Sequence, residues 1–196
     1  MKRLGAVVAL SGLAAACATV SGGRPETARA ELKSPGGQTV GTATFTEVSG
    51  GVRVVVEVRG IPAGARAVHV HEVGRCEPPG FTSAGGHFNP GKRQHGILNP
   101  EGPHAGDLPN MTVAPDGTGR LETTTDRFTL RAGPTSLFDA DGSALVVHAA
   151  PDDFRTDPTG NSGGRAACGV LAKDDRLTWG PRPHVPRSWA GPPARR

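Results

Sequence analysis

Residues 66–73 read "RAVHVHEV", with two imidazoles set into a run that otherwise patterns as a buried strand. Side chains on a strand alternate faces with period two, so His69 and His71 point the same way. Working outward, the neighbouring chain has the same character. "ARAELK" (28–33), "TVGTATFTEV" (around 40–48), "GVRVVVEV" (51–58), "MTVAPDGTGRLETTT" (111–125), "SALVVHAA" (143–150) and "AACGVLA" (166–172) are alternating or Val-rich segments. They are bounded by Gly, Pro and Ser clusters such as "SPGG", "SGG" and "GIPAG", the punctuation of a strand meander. "EVSGGV" reads as a tight hairpin turn and "PDGTG" as the turn of a second hairpin. The 29 Gly and 18 Pro, with no Tyr, suit short strands joined by turns rather than helices. No internal repeat and no helix is predicted. The reading is an all-β fold of about eight strands, a sandwich or barrel, with two long loops.

Those loops are where regular patterning stops. From Glu72 to Asn110 there is none, and a structureless segment of that length in a compact domain is usually functional or disordered. This one holds Cys76, His87, His95, His104 and Asp107, which argues for function. The second, "PDDFRTDPTGNSGGR" (151–165), leads into the last strand.

The ends of the chain differ from its body. Lys2 and Arg3, an apolar run from Leu4 to Ala16 and small residues before Cys17 form a secretory signal (1–17), too short for a membrane span. "LAAAC" resembles a lipobox, in which the Cys is lipidated and becomes the mature N-terminus; Ala14 stands where Leu is usual, and the alternative is ordinary cleavage after "AAA" that leaves a free thiol. Residues 18–27 are a polar linker, and 173–196 a basic Pro/Arg-rich tail read as disordered. Setting Cys17 aside leaves Cys76 and Cys168 as one even pair in an oxidising compartment. The net charge of +4 sits at the ends: 173–196 has six Lys/Arg against two Asp, whereas 18–172 has fourteen against sixteen Asp/Glu. A nucleic-acid partner is therefore not expected, because a binding face concentrates charge on the folded domain. Membrane contact is expected only through the N-terminal anchor.

Of the seven His, His184 lies in the tail and reads as a solvated loop residue; the other six fall between 69 and 148. The same-face pair His69 and His71, about 6.6 Å apart along a strand, can converge on one ion. "HAGD" offers a second close pair, His104 and Asp107. Imidazole-rich sets suit Zn, Cu, Fe or Ni, an all-nitrogen set favours Cu(II), and three His with a carboxylate make a closed zinc site. Other signals carry less. "TGNSGGR" lacks the Gly-Lys-Ser/Thr ending of a phosphate loop, "DADGSA" lacks the Glu that closes a calcium loop, and "NMT" at Asn110 is a formal sequon only.

"HVHEVGRCEPPGFTSAGGHFNPGKRQHGILNPEGPHAGDLPN", "LVVHAAPDD" and "TGNSGGRAACGVL" together resemble copper/zinc superoxide dismutase of the bacterial exported type, over a domain of residues 28–172. The resemblance implies an eight-stranded Greek-key β-sandwich or barrel with a metal-binding loop and an electrostatic loop. It implies copper on His69, His71, His87 and His148, and zinc on His87, His95, His104 and Asp107, with His87 shared between them. Asp152 would link a ligand of each metal, and Cys76 and Cys168 would form a disulfide. Arg165 and His87 would be catalytic, Arg165 docking the superoxide anion and His87 handling a proton. Ala67 and Val68 stand where the family usually has Gly-Phe, and touch no ligand. The implied activity is dismutation of superoxide to dioxygen and hydrogen peroxide, protecting the cell envelope from the periplasm or outer membrane, with lipid at Cys17. Two rival readings stand beside it: a copper-handling protein without turnover, and an envelope protein braced by its metals. Monomer and homodimer are both left open.

Overall fold

The structure is a computed structural model describing residues 25–174; the signal, Cys17 and most of the linker and tail lie outside the described residues. Ten strands occur in chain order: β1 (Thr27–Lys33), β2 (Thr39–Val48), β3 (Gly51–Val58), β4 (Gly64–Arg66), β5 (Val68–His71), β6 (Met111–Val113), β7 (Gly119–Thr125), β8 (Ala144–His148), β9 (Arg165–Val170) and β10 (Ala172–Lys173). The one helical element among the described residues is a 3₁₀ turn at Thr82–Ala84. Every pairing between named strands is antiparallel, in the order β4-β6-β7-β3-β2-β1-β9-β8-β5, with β10 on β1.

The two ends of that path, β4 and β5, are consecutive in sequence, so the chain itself brings the ends together and the sheet curls into a nearly closed barrel. "RAVHVHEV" is thus not one strand. Arg66 ends the pairing with β6, Ala67 exchanges main-chain hydrogen bonds with His148 and Ala150, and Val68 continues along β8. Leu171 likewise stands between β9 and β10, which both pair with β1, and the expected eight strands are these ten segments with two paths each interrupted by one residue. The two hairpins are present: Ser49 and Gly50 join β2 to β3, and Ala114 to Thr118 join β6 to β7.

Alternation decides what fills the barrel. On β3, Val52, Val54, Val56 and Val58 are buried and Arg53 and Glu57 exposed. They meet Ala28, Ala30 and Leu32 of β1, Ala43 and Phe45 of β2, and Leu145 and Val147 of β8. Burying each such Val or Leu contributes about 1.5–3 kcal/mol. β5 departs from the pattern because both of its faces are buried. Val68 and Val70 enter the barrel core, while His69 and His71 point outward beneath the long loop. A second, smaller cluster lies on that outer side: Phe81, Ala84, Ala144, Val146 and Cys168, packed against Cys76.

Candidate metal centre

β5 pairs with β8 along one edge, and its other edge would be unsatisfied without the long loop. The Val70 N–H donates to Gly106 O (2.9 Å), Phe88 N–H to Val70 O (2.8 Å), and Glu72 N–H to Gly86 O (3.0 Å). The loop's two crossings therefore lie as extra strand fragments beside β5, bridging His71 to His87 and His69 to Asp107. Gly106 is needed there: a Cβ would stand 3.1 Å from Phe88 N and closer still to the Val70 carbonyl. Main-chain hydrogen bonds, not the side chains alone, bring His87 and Asp107 over the β5 imidazoles.

Seven donors gather in one buried patch. His69, His71, His87 and His148 form one group whose ring nitrogens lie within 4.8 Å of one another, and His69, His87, His95 and Asp107 form a second. His104 joins the second side. Its Nδ1 is 3.3 Å from Asp107 Oδ1 and 3.4 Å from His87 Nδ1, while His87 Nδ1 and His95 Nδ1 are 3.0 and 3.1 Å from the same carboxylate oxygen. Four donors each about 2.0–2.1 Å from a tetrahedral ion are separated by about 3.4 Å, so these spacings suit zinc. On the other side, His71 Nε2 and His148 Nε2 are 3.4 Å apart. His69 Nδ1, His87 Nε2 and His95 Nδ1 are buried with no hydrogen-bond partner. Buried polar atoms are ordinarily paired, and three orphaned nitrogens in one patch are what metal ligation would satisfy.

Four of the nitrogens turned away from the patch are partnered. His69 Nε2 donates to Asp152 Oδ2 (2.8 Å) and His95 Nε2 to Asp152 Oδ1 (2.9 Å), so one carboxylate orients a ring of each group. His71 Nδ1 donates to Gly85 O (3.0 Å), and His148 Nδ1 to Ser162 Oγ (3.1 Å) and Gly163 O (3.4 Å). Fixing the outer nitrogen selects the tautomer whose inner nitrogen carries a lone pair. Burial acts in the same sense, pulling His69 and His71 below the usual imidazole value and taking His87 to about 4 and His148 to about 3. His95 goes the other way. Burial pulls it down, but the Asp107 carboxylate beside Nδ1 and the Asp152 carboxylate hydrogen-bonded to Nε2 outweigh this and raise it to about 9. Burial pushes Asp107 and Asp152 up, and hydrogen bonds from the surrounding imidazoles hold both well below the ordinary carboxylate range.

Arg165, half-buried at the start of β9, donates to Phe81 O (2.5 Å) and Gly85 O (2.6 Å). Its charge is felt at His71 and His148, which puts it on the all-histidine side. The Cys76–Cys168 disulfide (S–S 2.00 Å, separation 92 residues) ties the same loop to the same strand. In the chain-entropy account a bridge of that span stabilises by about 4–5 kcal/mol.

Three residues at the site carry no functional signal in the sequence. Asn110, there only the first residue of a formal sequon, clamps the main chain of Asp152: its Nδ2 donates to Asp152 O and its Oδ1 accepts Asp152 N–H, both at 2.9 Å. Arg127 donates to the Asp107 carbonyl. Gly160, at φ +61°, lies where a Cβ would press on the Asp152 carboxylate and stand 2.6 Å from His95 Nε2. A site-facing Asn or Gly in a loop looks like any turn residue until the fold is known.

The same fold occurs in known proteins. The family model for copper/zinc superoxide dismutase (SODC) matches residues 39–171. A superoxide dismutase [Cu-Zn] of Aquifex aeolicus is 47% identical over 146 residues, covering 74% of this chain and 85% of the relative. One from Caulobacter vibrioides is 43% identical over 174 residues, covering 87% and 99%. Among solved structures, a SOD-like protein from Bacillus subtilis superposes with a TM-score of 0.71 at 36% identity, covering 74% of this chain and 97% of that one.

Proposed function

The chain belongs to the copper/zinc superoxide dismutase family, and from that premise we propose that it binds copper through His69, His71, His87 and His148 and zinc through His87, His95, His104 and Asp107. It is an oxidoreductase whose substrate is superoxide: two superoxide anions and two protons become dioxygen and hydrogen peroxide. Bound copper supplies a centre that takes an electron from one superoxide and gives it to another, while zinc, having no redox chemistry, supplies charge and geometry. The protein's own residues do the rest. His87 presents Nδ1 to the Asp107 side and leaves Nε2 to the all-histidine side, so it is the ring suited to both ions, and Nε2 is the atom at which it would hold and pass on a proton. Asp152 keeps the rings on either side of His87 aligned. Arg165, clamped by two carbonyls, holds a positive charge beside the copper donors to draw in and dock the small anion.

The observation that carries this reading is the meeting of two buried donor groups that share His69 and His87: Asp152 takes the second nitrogen of His69, which leaves His87 as the ring with a nitrogen for each side. A rival that handles copper without turnover would be expected to lack a donor or the arginine, and every one is present. Metal analysis of the purified protein and the rate of superoxide decay provide the test. One copper and one zinc per chain are expected, with His71→Ala abolishing turnover; metal-loaded protein that leaves superoxide decay unchanged would refute it.

The disulfide and the bacterial relatives mark an exported protein. Envelope protection, from the periplasm or the outer membrane, with lipid on Cys17, is the finer proposal, and "LAAAC" supports it. Cys17→Ser should move the protein from the detergent phase to the aqueous phase of a cell extract, and identical partitioning of the two forms would refute the anchor.

A further inference from the structure

The zinc-side donors are unequally supported. His95 has Asp152 on its outer nitrogen, His87 offers its second nitrogen to the copper side, and Asp107 Oδ2 accepts N–H groups from Gly96 (2.9 Å) and His104 (3.0 Å). His104 is the exception. Its Nδ1 faces the donor set, while its Nε2 makes no hydrogen bond among the described residues. If Nδ1 gives its lone pair to a cation, Nε2 carries the proton, and that N–H becomes more positive on binding. A carboxylate in front of it would complete the arrangement that metal-bound imidazoles usually have.

One is in place. Asp157 Oδ1 lies 3.7 Å from His104 Nε2, too far for a hydrogen bond but close for two opposite charges. The same oxygen accepts the His95 main-chain N–H at 2.6 Å. Asp157 is therefore the point where the 149–164 loop touches two zinc-side histidines through one atom. Its own position is well determined. Asp153 Oδ1 accepts the N–H groups of Arg155 (2.9 Å) and Thr156 (2.8 Å), and its Oδ2 accepts from Thr156 Oγ1 (2.6 Å) and Asn161 Nδ2 (2.8 Å), rigidifying the turn that carries Asp157. Leu98 N–H to Phe154 O (3.0 Å) fastens the two loops nearby.

We propose that Asp157 is a positioning residue for the zinc half of the site, holding the His95 main chain by a hydrogen bond and the His104 ring by its negative charge. This rests on the zinc donor set proposed above. The two parts have different physics. The hydrogen bond needs only an acceptor oxygen, which an amide also supplies. The hold on His104 needs a charge, and with the Asp157 side chain 46% exposed it is open to screening by salt.

The test is the rate at which zinc leaves copper- and zinc-loaded protein into excess chromophoric chelator, for wild type, Asp157→Ala and Asp157→Asn. Release about tenfold faster is expected for D157A, which loses both parts, at the low end of the range for such outer partners. About threefold is expected for D157N, which keeps the acceptor and loses a partly exposed charge pair. The gap between wild type and D157N should narrow as salt is raised, a response that simple loop docking would not give. Release from D157A at the wild-type rate would overturn the assignment. D157N indistinguishable from wild type at low salt would overturn the hold on His104. A wild-type chain that takes up no zinc would refute the donor set itself, and this inference with it.

Discussion

At the scale of single residues, Arg165 shows how one side chain's placement separates binding from chemistry. Its main chain pairs with His148 across β8 and β9, but its side chain hydrogen-bonds to none of the proposed donors; the two bonds it makes go to carbonyls of the disulfide-tethered loop, which leaves the guanidinium charge for an incoming anion. Arg165→Gln keeps an N–H donor, on a shorter side chain, and removes the charge. Metal content should be unchanged, while the second-order rate with superoxide falls by about an order of magnitude at low ionic strength. Because the lost component is long-range attraction, the rate of the variant should also depend less steeply on salt. A variant as fast as wild type in dilute buffer would assign the arginine to the scaffold only. The residue was legible in "GGRAAC" through its resemblance to the family, but its two carbonyl partners, Phe81 and Gly85, were not.

At the scale of elements, strands were legible because period-two burial is written directly into Val52, Val54, Val56 and Val58 and into the turns around them. What could not be read was where one strand changes partner. "RAVHVHEV" keeps its alternation straight through Ala67, yet pairing passes there from β6 to β8, a decision made by barrel closure and not by any local residue. The loops divide in a similar way. Their histidines were legible as donors, since six imidazoles and an Asp gathered in and around irregular chain suit a metal centre far better than a solvated surface. The framework that aims them was not: Asn110 against Asp152, Ser162 against His148, and Gly160 where a Cβ would strike Asp152 are ordinary turn residues in sequence. Each acts through a partner at least 8 residues distant, the Asn110–Asp152 clamp spanning 42 and Ser162 reaching back 14. Spacing along the chain carries no record of such contacts.

At the scale of the whole molecule, the cost of assembling the site falls on the metal-free protein and has a definite pH dependence. His69, His71, His87 and His148 are buried neutral, with His87 at about 4 and His148 at about 3 against 6.5 for an exposed imidazole. Below pH 6.5 the unfolded chain takes up protons that these four rings refuse in the native state, so stability present above that pH is lost as pH falls toward 4. His95 has the opposite sign. Raised to about 9, it contributes fully below 6.5 and loses its contribution as pH climbs from there toward 9. Asp107 and Asp152 are held so low that their contribution is lost only below the ordinary carboxylate range. Between pH 7 and pH 5 the four neutral rings therefore oppose one, and the net effect is destabilising. Urea unfolding of chelator-treated protein should show a lower midpoint at pH 5 than at pH 7. An equal or higher midpoint at pH 5 would mean that the apo fold opens to let water reach the imidazoles, and that metal binding, not the folded chain, closes the centre.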